Sequence, residues 1–510
     1  MNPTAFTSSS SSPSGVLDAL AAAGFEIGPP RALRRTVVDT FDGRLHRAGL
    51  RLEVRGAGNG AEVVLDDGRS SPARAPAATA PRRAADLPAG PLRSRLGPVL
   101  DVRALVPLAT VTATVRPAVR RDAEGTARVT VDVHDDLAVD GAPVGPPWAA
   151  ELRAGAGYAK DAASARALLR SLGLKAGAGD VLDQALAAAG VARRGFTGSP
   201  TIALAADEPA LPAFRRVLAN LMLAVDANWQ GTVDDVDPEF LHDLRVAVRR
   251  TRSVLAQGRR VLPADVRATY REAFGWLGGV TGPSRDLDVY GIEWDRYVGP
   301  LGPDVAADLE PVRRHIESLR SSAHAELSDV LRSERYREVT DGWRAWLAGA
   351  GPVAGAGRDA GRAIGKVAAG RIRDAQAQVL ERGRGISAAT PAEELHQLRK
   401  DAKKLRYLLE CFGGLYAPAP RKAFVQRLKA LQDNLGQHQD AEVHVAQLEE
   451  IAAGLPEGSR GPATLVALGR LSESIDRARR SARQEFAGRF RSYDTRATAR
   501  SLDALLDSSP

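Results

Sequence analysis

Two segments of this 510-residue chain hold the residues whose types and spacing most clearly suggest chemistry. Residues 238–252 read Pro-Glu-Phe-Leu-His-Asp-Leu-Arg-Val-Ala-Val-Arg-Arg-Thr-Arg, and residues 392–406 read Ala-Glu-Glu-Leu-His-Gln-Leu-Arg-Lys-Asp-Ala-Lys-Lys-Leu-Arg. His242 matches His396, Arg245 matches Arg399, Arg249 matches Lys403, Arg250 matches Lys404 and Arg252 matches Arg406, always 154 residues apart. On a helix turning about 100° per residue, with His242 at zero, Arg245, Arg249 and Arg252 fall at about 300°, 340° and 280°. Leu241, Leu244, Val248, Thr251 and Leu255 form the apolar stripe beside them. Leu395, Leu398, Ala402, Leu405 and Leu409 do the same beside His396, Arg399, Lys403 and Arg406. Each strip thus sets a histidine and three cations at the rim of a buried face. No acid at i±4 is expected to offset them. An anion would supply that compensation, and a polyanion gains further by releasing counterions. The bland alternative is pairing with acids of neighbouring helices, Asp286 and Asp440 in particular.

The elements that must position these strips come in two copies. Gly282, Asp286 and Val289 recur as Gly436, Asp440 and Val443 at the same offset, so the helical region is a doubled unit. Its halves are expected at about 209–350 and 360–500, within a domain over 209–500. Helix breaks are expected at Leu262-Pro263, Gly278-Gly279, Gly299-Pro300, 348–358 and Pro418 to Pro420. Residues 16–200 read as a separate α+β domain. Leu50–Val54, Val111–Val115 and Val129–Val133 alternate as strands, with a turn at Asp122–Gly125. Residues 66–92, rich in Pro, Ala and Arg, read as a loop or a decayed segment, while Ala162–Leu172 and Val181–Ala189 read as helices. The Ser-rich residues 1–15 read as a disordered tail with no secretory character.

Composition narrows the classes. The chain has 44% hydrophobic and 26% charged residues, as soluble globular chains do, and no run of about 18 apolar residues to span a membrane. One cysteine, Cys411, excludes an internal disulfide framework and a cysteine-only zinc cage. The net charge of +8 is a weak guide to location. Residues 1–205 hold 25 basic and 20 acidic residues, and 206–510 hold 45 and 42. An anion site in the helical part must therefore come from sorting of charge.

The twin Leu-His-x-Leu-Arg helices, with Gly282-Pro-Ser-Arg-Asp-Leu-Asp288 and Leu431-Gln-Asp-Asn-Leu-Gly436, resemble the CHAD domain, the conserved histidine α-helical domain. That resemblance implies two pseudo-symmetric four-helix bundles that bind inorganic polyphosphate, often in granule-associated proteins. The binders it implies are His242, Arg245, Arg249, Arg252, His396, Arg399, Lys403 and Arg406. Arg250, Lys404, Arg313, Arg314, Arg320, Arg427, Lys429, Arg477 and Arg480 are secondary candidates. Upstream, Val38-Asp-Thr-Phe-Asp-Gly-Arg-Leu45 and Ala48-Gly-Leu-Arg-Leu-Glu-Val-Arg55 resemble a CYTH, or triphosphate-tunnel, domain. Such domains are closed antiparallel barrels that hydrolyse triphosphates with metal-holding glutamates and inward Arg and Lys. Here the Glu-x-Glu-x-Lys strand is missing, and 127–132 and 148–153 carry no paired glutamates. A degenerate barrel, a scaffold or weak anion site with Arg51, Arg55 and Arg116 as candidate cavity residues, is expected instead.

Nucleic-acid readers need stacking platforms, and Tyr407 is the one aromatic beside a strip. Asp234, Asp235, Asp237 and Glu239, or His438, Asp440 and His444, could suggest a metal. In the first copy the latter three align with Ser284, Asp286 and Tyr290, so only the aspartate recurs. No catalytic residue, metal or cofactor is expected, and Cys411 reads as core. The reading is thus a non-catalytic, cytoplasmic polyphosphate binder, with residual triphosphatase activity or nonspecific DNA binding as alternatives and no expectation for oligomeric state.

Overall fold

The valines that alternate at 111–115 and 129–133 lie in the two longest strands of one antiparallel sheet. The structure, a computed structural model, describes residues 4–7, 12–56, 60–68, 72–76, 80–146, 148–155, 157–177, 179–191, 202–349 and 354–508. It divides into two units, Met1–Gly195 and Phe196–Pro510.

In the first unit the strands are β1 (Thr4–Thr7), β2 (Glu26–Ile27), β3 (Arg31–Thr40), β4 (Arg51–Arg55), β5 (Glu62–Asp66), β6 (Ala73–Pro76), β7 (Leu105–Arg121), β8 (Ala127–Val139), β9 (Ala142–Pro143), β10 (Trp148–Ala154) and β11 (Lys175–Ala176). The helices are α1 (Ser14–Ala22), α2 (Arg44–Arg47), α3 (Pro91–Leu100), α4 (Ala159–Ser171) and α5 (Val181–Ala188). The sheet runs β11-β1-β10-β8-β7-β3-β4-β5-β6, with β2 on β7 and β9 on β8, a layout compatible with a tunnel-like fold. The side-chain period of two sorts its faces. Val129, Val131, Val133, Ala150 and Leu152 pack under α1 and α4, so Asp132, His134 and Glu151, also buried, face the other way.

Two expectations change here. Thr4–Thr7, inside the stretch read as a loose tail, pairs with both β10 and β11, because Ala5 and Phe6 bury completely; residues 1–3 and 8–11 lie outside the described residues. The 66–92 segment is not all loop. It contributes β6, whose Ala75 pairs with Val63, and the start of α3, opened by Pro91; its residues 69–71 and 77–79 lie outside the described residues.

The second unit is helical and doubled. Its first half holds α6 (Ala210–Val233), α7 (Pro238–Gln257), α8 (Ala264–Val280), α9 (Gly282–Val298), α10 (Pro303–Asp308), α11 (Glu310–Arg332) and α12 (Glu334–Ala348). The second holds α13 (Ile364–Arg384), α14 (Ala392–Cys411), α15 (Pro418–Gly454), α16 (Pro462–Tyr493) and α17 (Arg496–Leu506). The starts of α6, α7 and α8 recur 154 residues later as those of α13, α14 and α15. Where the second half has one long helix, the first has α8 and α9. Pro283 cannot donate into the helix ladder and stands where the second half has Gln437. Pro418 and Pro420, expected to break a helix, instead sit in the first turn of α15, where a missing N–H costs nothing. Of the break expected at 348–358, residues 350–353 lie outside the described residues.

Leucines of the two motifs hold the halves together. Leu241, Leu244, Val248 and Leu255 share one core with Leu395, Leu398, Leu405 and Leu409, and α7 packs on α14. A Cβ on Gly231 of α6 would lie 2.2 Å from the buried Phe240 ring of α7. Gly231→Ala is therefore expected to destabilise the helical unit by about 1–3 kcal/mol through overpacking, read as a lower denaturant midpoint at unchanged m-value.

Candidate anion-binding site

Residues of both motif copies meet at two neighbouring clefts. The first, of about 940 Å³, is lined by His242, Arg245 and Arg249 of α7, Arg285 and Asp286 of α9, Arg399 and Lys403 of α14, and Gln432, Asp440 and His444 of α15. The second, of about 1140 Å³, lies between α7, α8 and α14 and is lined by Arg249, Arg252, Arg259, Arg267, Arg271, Lys400, Lys403 and Lys404, with Glu272, Asp401 and Tyr407. Arg249 and Lys403, equivalent positions of the two copies, form a wall common to both clefts.

The cations here are crowded and partly desolvated. Burial, then Arg399 and Arg249, pushes the Lys403 ammonium down to about 8, with Arg406 adding to the repulsion and Asp440 opposing it. Burial likewise lowers Arg245 and Arg285, each opposed by nearby acids and assisted by Arg249. The Nε atoms of Arg249, Arg267 and Arg399 are buried without a hydrogen-bond partner. Such donors are costly to leave unmade, and phosphate oxygens would satisfy them.

The expected pairing with acids is real but uneven. Arg399 Nη2 donates to Asp440 at 2.7 Å, while Arg245 reaches the Gly278 carbonyl and Thr281 Oγ1 at 3.2 and 2.9 Å. Burial raises the Asp286 carboxyl, with Arg245 and Arg285 opposing. The expectation that no acid at i±4 meets a strip is corrected at Arg406, whose Nε donates to Glu410 at 2.7 Å. His396 hydrogen-bonds Gln439 through Nδ1. Neither His396 nor Arg406 lines either cleft.

Among the secondary candidates only Lys404 lines a cleft, and its Nζ also donates to Gln378 at 2.9 Å. Arg250 is buried and bound to Glu410 at 2.6 Å. Arg320 bridges Asp288 and Asp235 at 2.7 Å and closer contact, a structural tie. Arg313 and Arg314 pair with Glu310, Lys429 with Asp433, Arg477 and Arg480 with Glu473, and Arg427 is exposed. None of these lines the clefts, because each points from its helix toward a local acid or to solvent. The arginines that sequence reasoning missed are Arg285, Arg259, Arg267 and Arg271. Arg285 lies inside the quoted 282–288 segment and carried a signal; Arg267 recurs as Arg421 at the same offset, whereas Arg259 and Arg271 have no cationic counterpart.

The metal candidates resolve into structural roles. Asp237 caps α7 by accepting from Glu239 N at 2.9 Å, and Asp235 binds Arg320. His444 is buried, its Nδ1 2.8 Å from Tyr297 Oη, and its carbonyl accepts from Tyr290 Oη at 2.5 Å. Among the described residues no group of three or more His, Cys, Asp or Glu is placed to hold a metal. Burial pushes the Cys411 thiol up to about 12, which leaves it protonated in the core.

In the sheet unit, tertiary structure gathers acids that no local motif announced. Glu53 of β4, Asp132 of β8 and Glu151 of β10 are buried on one face with Arg35 and His134, and Glu151 sits directly across from Asp132. Arginines occupy these carboxylates: Arg51 and Arg55 contact Glu53 at 3.0 and 2.9 Å, and Arg153 contacts Asp132 and Glu151. Burial, then Arg35 and Arg31, pushes His134 down to about 3, so it is neutral at physiological pH. Among the described residues these acids form no metal-holding group, although Glu53 Oε1 and Asp132 Oδ1 are buried without a hydrogen-bond partner. Arg51 also meets Asp180 at 2.7 Å and Asp66 and Asp183 at 3.5 Å. Arg51→Ala leaves four carboxylates short of their cation and is expected to cost about 3–5 kcal/mol, visible as an earlier melting of this unit.

The CHAD domain family model matches residues 216–449. Two uncharacterized proteins of Mycobacterium tuberculosis, from strains CDC 1551 and H37Rv, are 28% identical over 222 residues. The match covers 42% of this chain and 41% of those relatives' length. Among solved structures, the CHAD domain from the plant Ricinus communis is similar at TM-score 0.46 and 25% identity, covering 60% of this chain and 96% of that one. PptA from Streptomyces chartreusis is similar at TM-score 0.42 and 20% identity, covering 56% and 99%. The family match, over the doubled histidine-arginine helices, makes residues 216–449 of this chain a CHAD domain.

Proposed function

We propose that the helical unit binds inorganic polyphosphate without chemically altering it. The observation that carries this reading is the common wall: Arg249 and Lys403, 154 residues apart, stand between a cleft rich in arginine and lysine and one whose arginines and Lys403 outnumber its acids. Arginine forks suit paired phosphate oxygens, and the lysines add point charge. A linear polyanion threading past this wall offsets the burial and the cation repulsion that depress Lys403. Association with polyphosphate granules would follow from such affinity.

Titration of the full-length protein with polyphosphate and with duplex DNA, at matched phosphate concentration and several salt levels, tests it. Polyphosphate is expected to bind more tightly, with affinity falling steeply with salt. Equal or tighter binding of DNA would overturn the reading. Tripolyphosphate incubated alongside with magnesium or manganese is expected to stay intact.

A further inference from the structure

We infer that the second cleft is a one-sided extension of the polyphosphate site that makes the protein prefer long chains over short ones. The inference rests on the function proposed above. What it adds is a direction and a length preference.

Most of the arginines named in the helical unit are spent in ion pairs, as Arg250, Arg320 and Arg382 are. Along the second cleft, Arg252, Arg259, Arg267, Arg271 and Lys400 make no ion pair among the described residues. Of the two acids at the cleft, Asp401 is already neutralised by Arg382 Nε at 2.8 Å. Glu272 alone cannot balance the array. Cations gathered on three helices with so little compensation are arranged for an anion supplied from outside.

The repeat shows why the extension exists on one side only. Equivalent positions of the two copies differ at three of these cations, although Arg267 keeps a counterpart in Arg421: Arg271 corresponds to Val425, Lys400 to Val246 and Arg259 to Gly413. Most telling is Ala256, which lines the second cleft and corresponds to Glu410. Glu410 draws both Arg250 and Arg406 onto itself, so the symmetry-related face is self-neutralised. Ala256 draws nothing, and Arg252, the counterpart of Arg406, stays available to a ligand. A phosphate chain anchored at Arg249 and Lys403 can therefore continue favourably toward α8, and not in the opposite sense. A tripolyphosphate ends before it gains from the α8 arginines.

The test transplants the asymmetry. Ala256 is exposed, so Ala256→Glu is a surface change that places a carboxylate four residues after Arg252. Long-chain polyphosphate is expected to bind about tenfold more weakly to Ala256→Glu and to Arg267→Glu/Arg271→Glu, with a log-affinity versus log-salt slope shallower by about 1 or more. Tripolyphosphate affinity is expected to stay within about twofold, since its sites at Arg249 and Lys403 are untouched. Circular dichroism and melting of each variant check the fold. Unchanged long-chain affinity in both variants would overturn the extension while leaving the function proposed above standing. An equal loss for both ligands would also overturn it, by showing a single undivided site. If the wild-type protein binds neither ligand, the proposed function falls and the extension with it.

Discussion

Reversing charge at the common wall, in the variant Arg249→Glu/Lys403→Glu, is expected to weaken polyphosphate binding by at least about a hundredfold at moderate salt and to make the salt slope shallower by about 1.4, two contacts at about 0.7 each. Neither residue makes an ion pair among the described residues, and both line both clefts. Their reversal therefore takes away ligand contacts without breaking an ion pair among the described residues. In the ligand-free protein the two repel: Arg249 is among the causes of the lowered Lys403 pKa, and Arg249 Nε is buried without a partner. The single variant Arg249→Glu is accordingly expected to melt at the same temperature as the wild type or higher, because it turns a repulsion into an attraction. Lost binding with gained stability is the signature of a site held against its own folding energy. Lost binding with lost stability would mean that the wall is structural. Arg245 and Arg399 are poorer targets, despite their place in the motif. Arg245 is tied to Gly278 and Thr281 at the α8–α9 junction, and Arg399 to Asp440, so their reversal would mix folding with binding.

A second large effect is expected with pH. Burial and the surrounding Arg399, Arg249 and Arg406 place the Lys403 pKa at about 8 in the free protein, with Asp440 the one acid opposing them. Lys403 is thus charged below pH 8 and neutral above it. Bound phosphate keeps the proton on, so binding takes up a proton in the alkaline range. Affinity is then expected to hold up to about pH 8 and to fall by about tenfold per unit beyond it, until the bound-state pKa is reached. Lys403→Arg keeps its charge throughout and is expected to bind equally at pH 7.5 and 9.5. Fluorescence or calorimetric titrations of the two proteins at those pH values decide the matter. A wild-type affinity flat to pH 9.5, or a Lys403→Arg variant with the same fall, would remove Lys403 from the site.

The parts of this protein visible in its sequence are those governed by short-range periodicity. The 3.6-residue helical period makes Leu241, Leu244, Val248 and Leu255 a stripe and puts Arg245, Arg249 and Arg252 beside it, whatever the fold around them. The constant offset between copies adds the two halves, and the two-residue strand period adds the sheet. What those periods cannot express is which partner each side chain meets. Arg249 and Arg250 are neighbours in the chain, yet about 100° of helical rotation sends one to the clefts and the other to Glu410. Glu410 lies 160 residues away from Arg250, and nothing local marks it as the acid that silences one face. Arg267 and Arg271 join the site only because α8 packs beside α7. In the sheet unit, Asp132 meets Arg153 across strands, whereas Glu53 and Glu151 also meet arginines two residues away on their own strands. Electrostatic pairing acts over a few ångströms of space with no regard for sequence distance. The sequence therefore determined where cations could be offered, and the tertiary structure alone decided which of them remained free for a ligand.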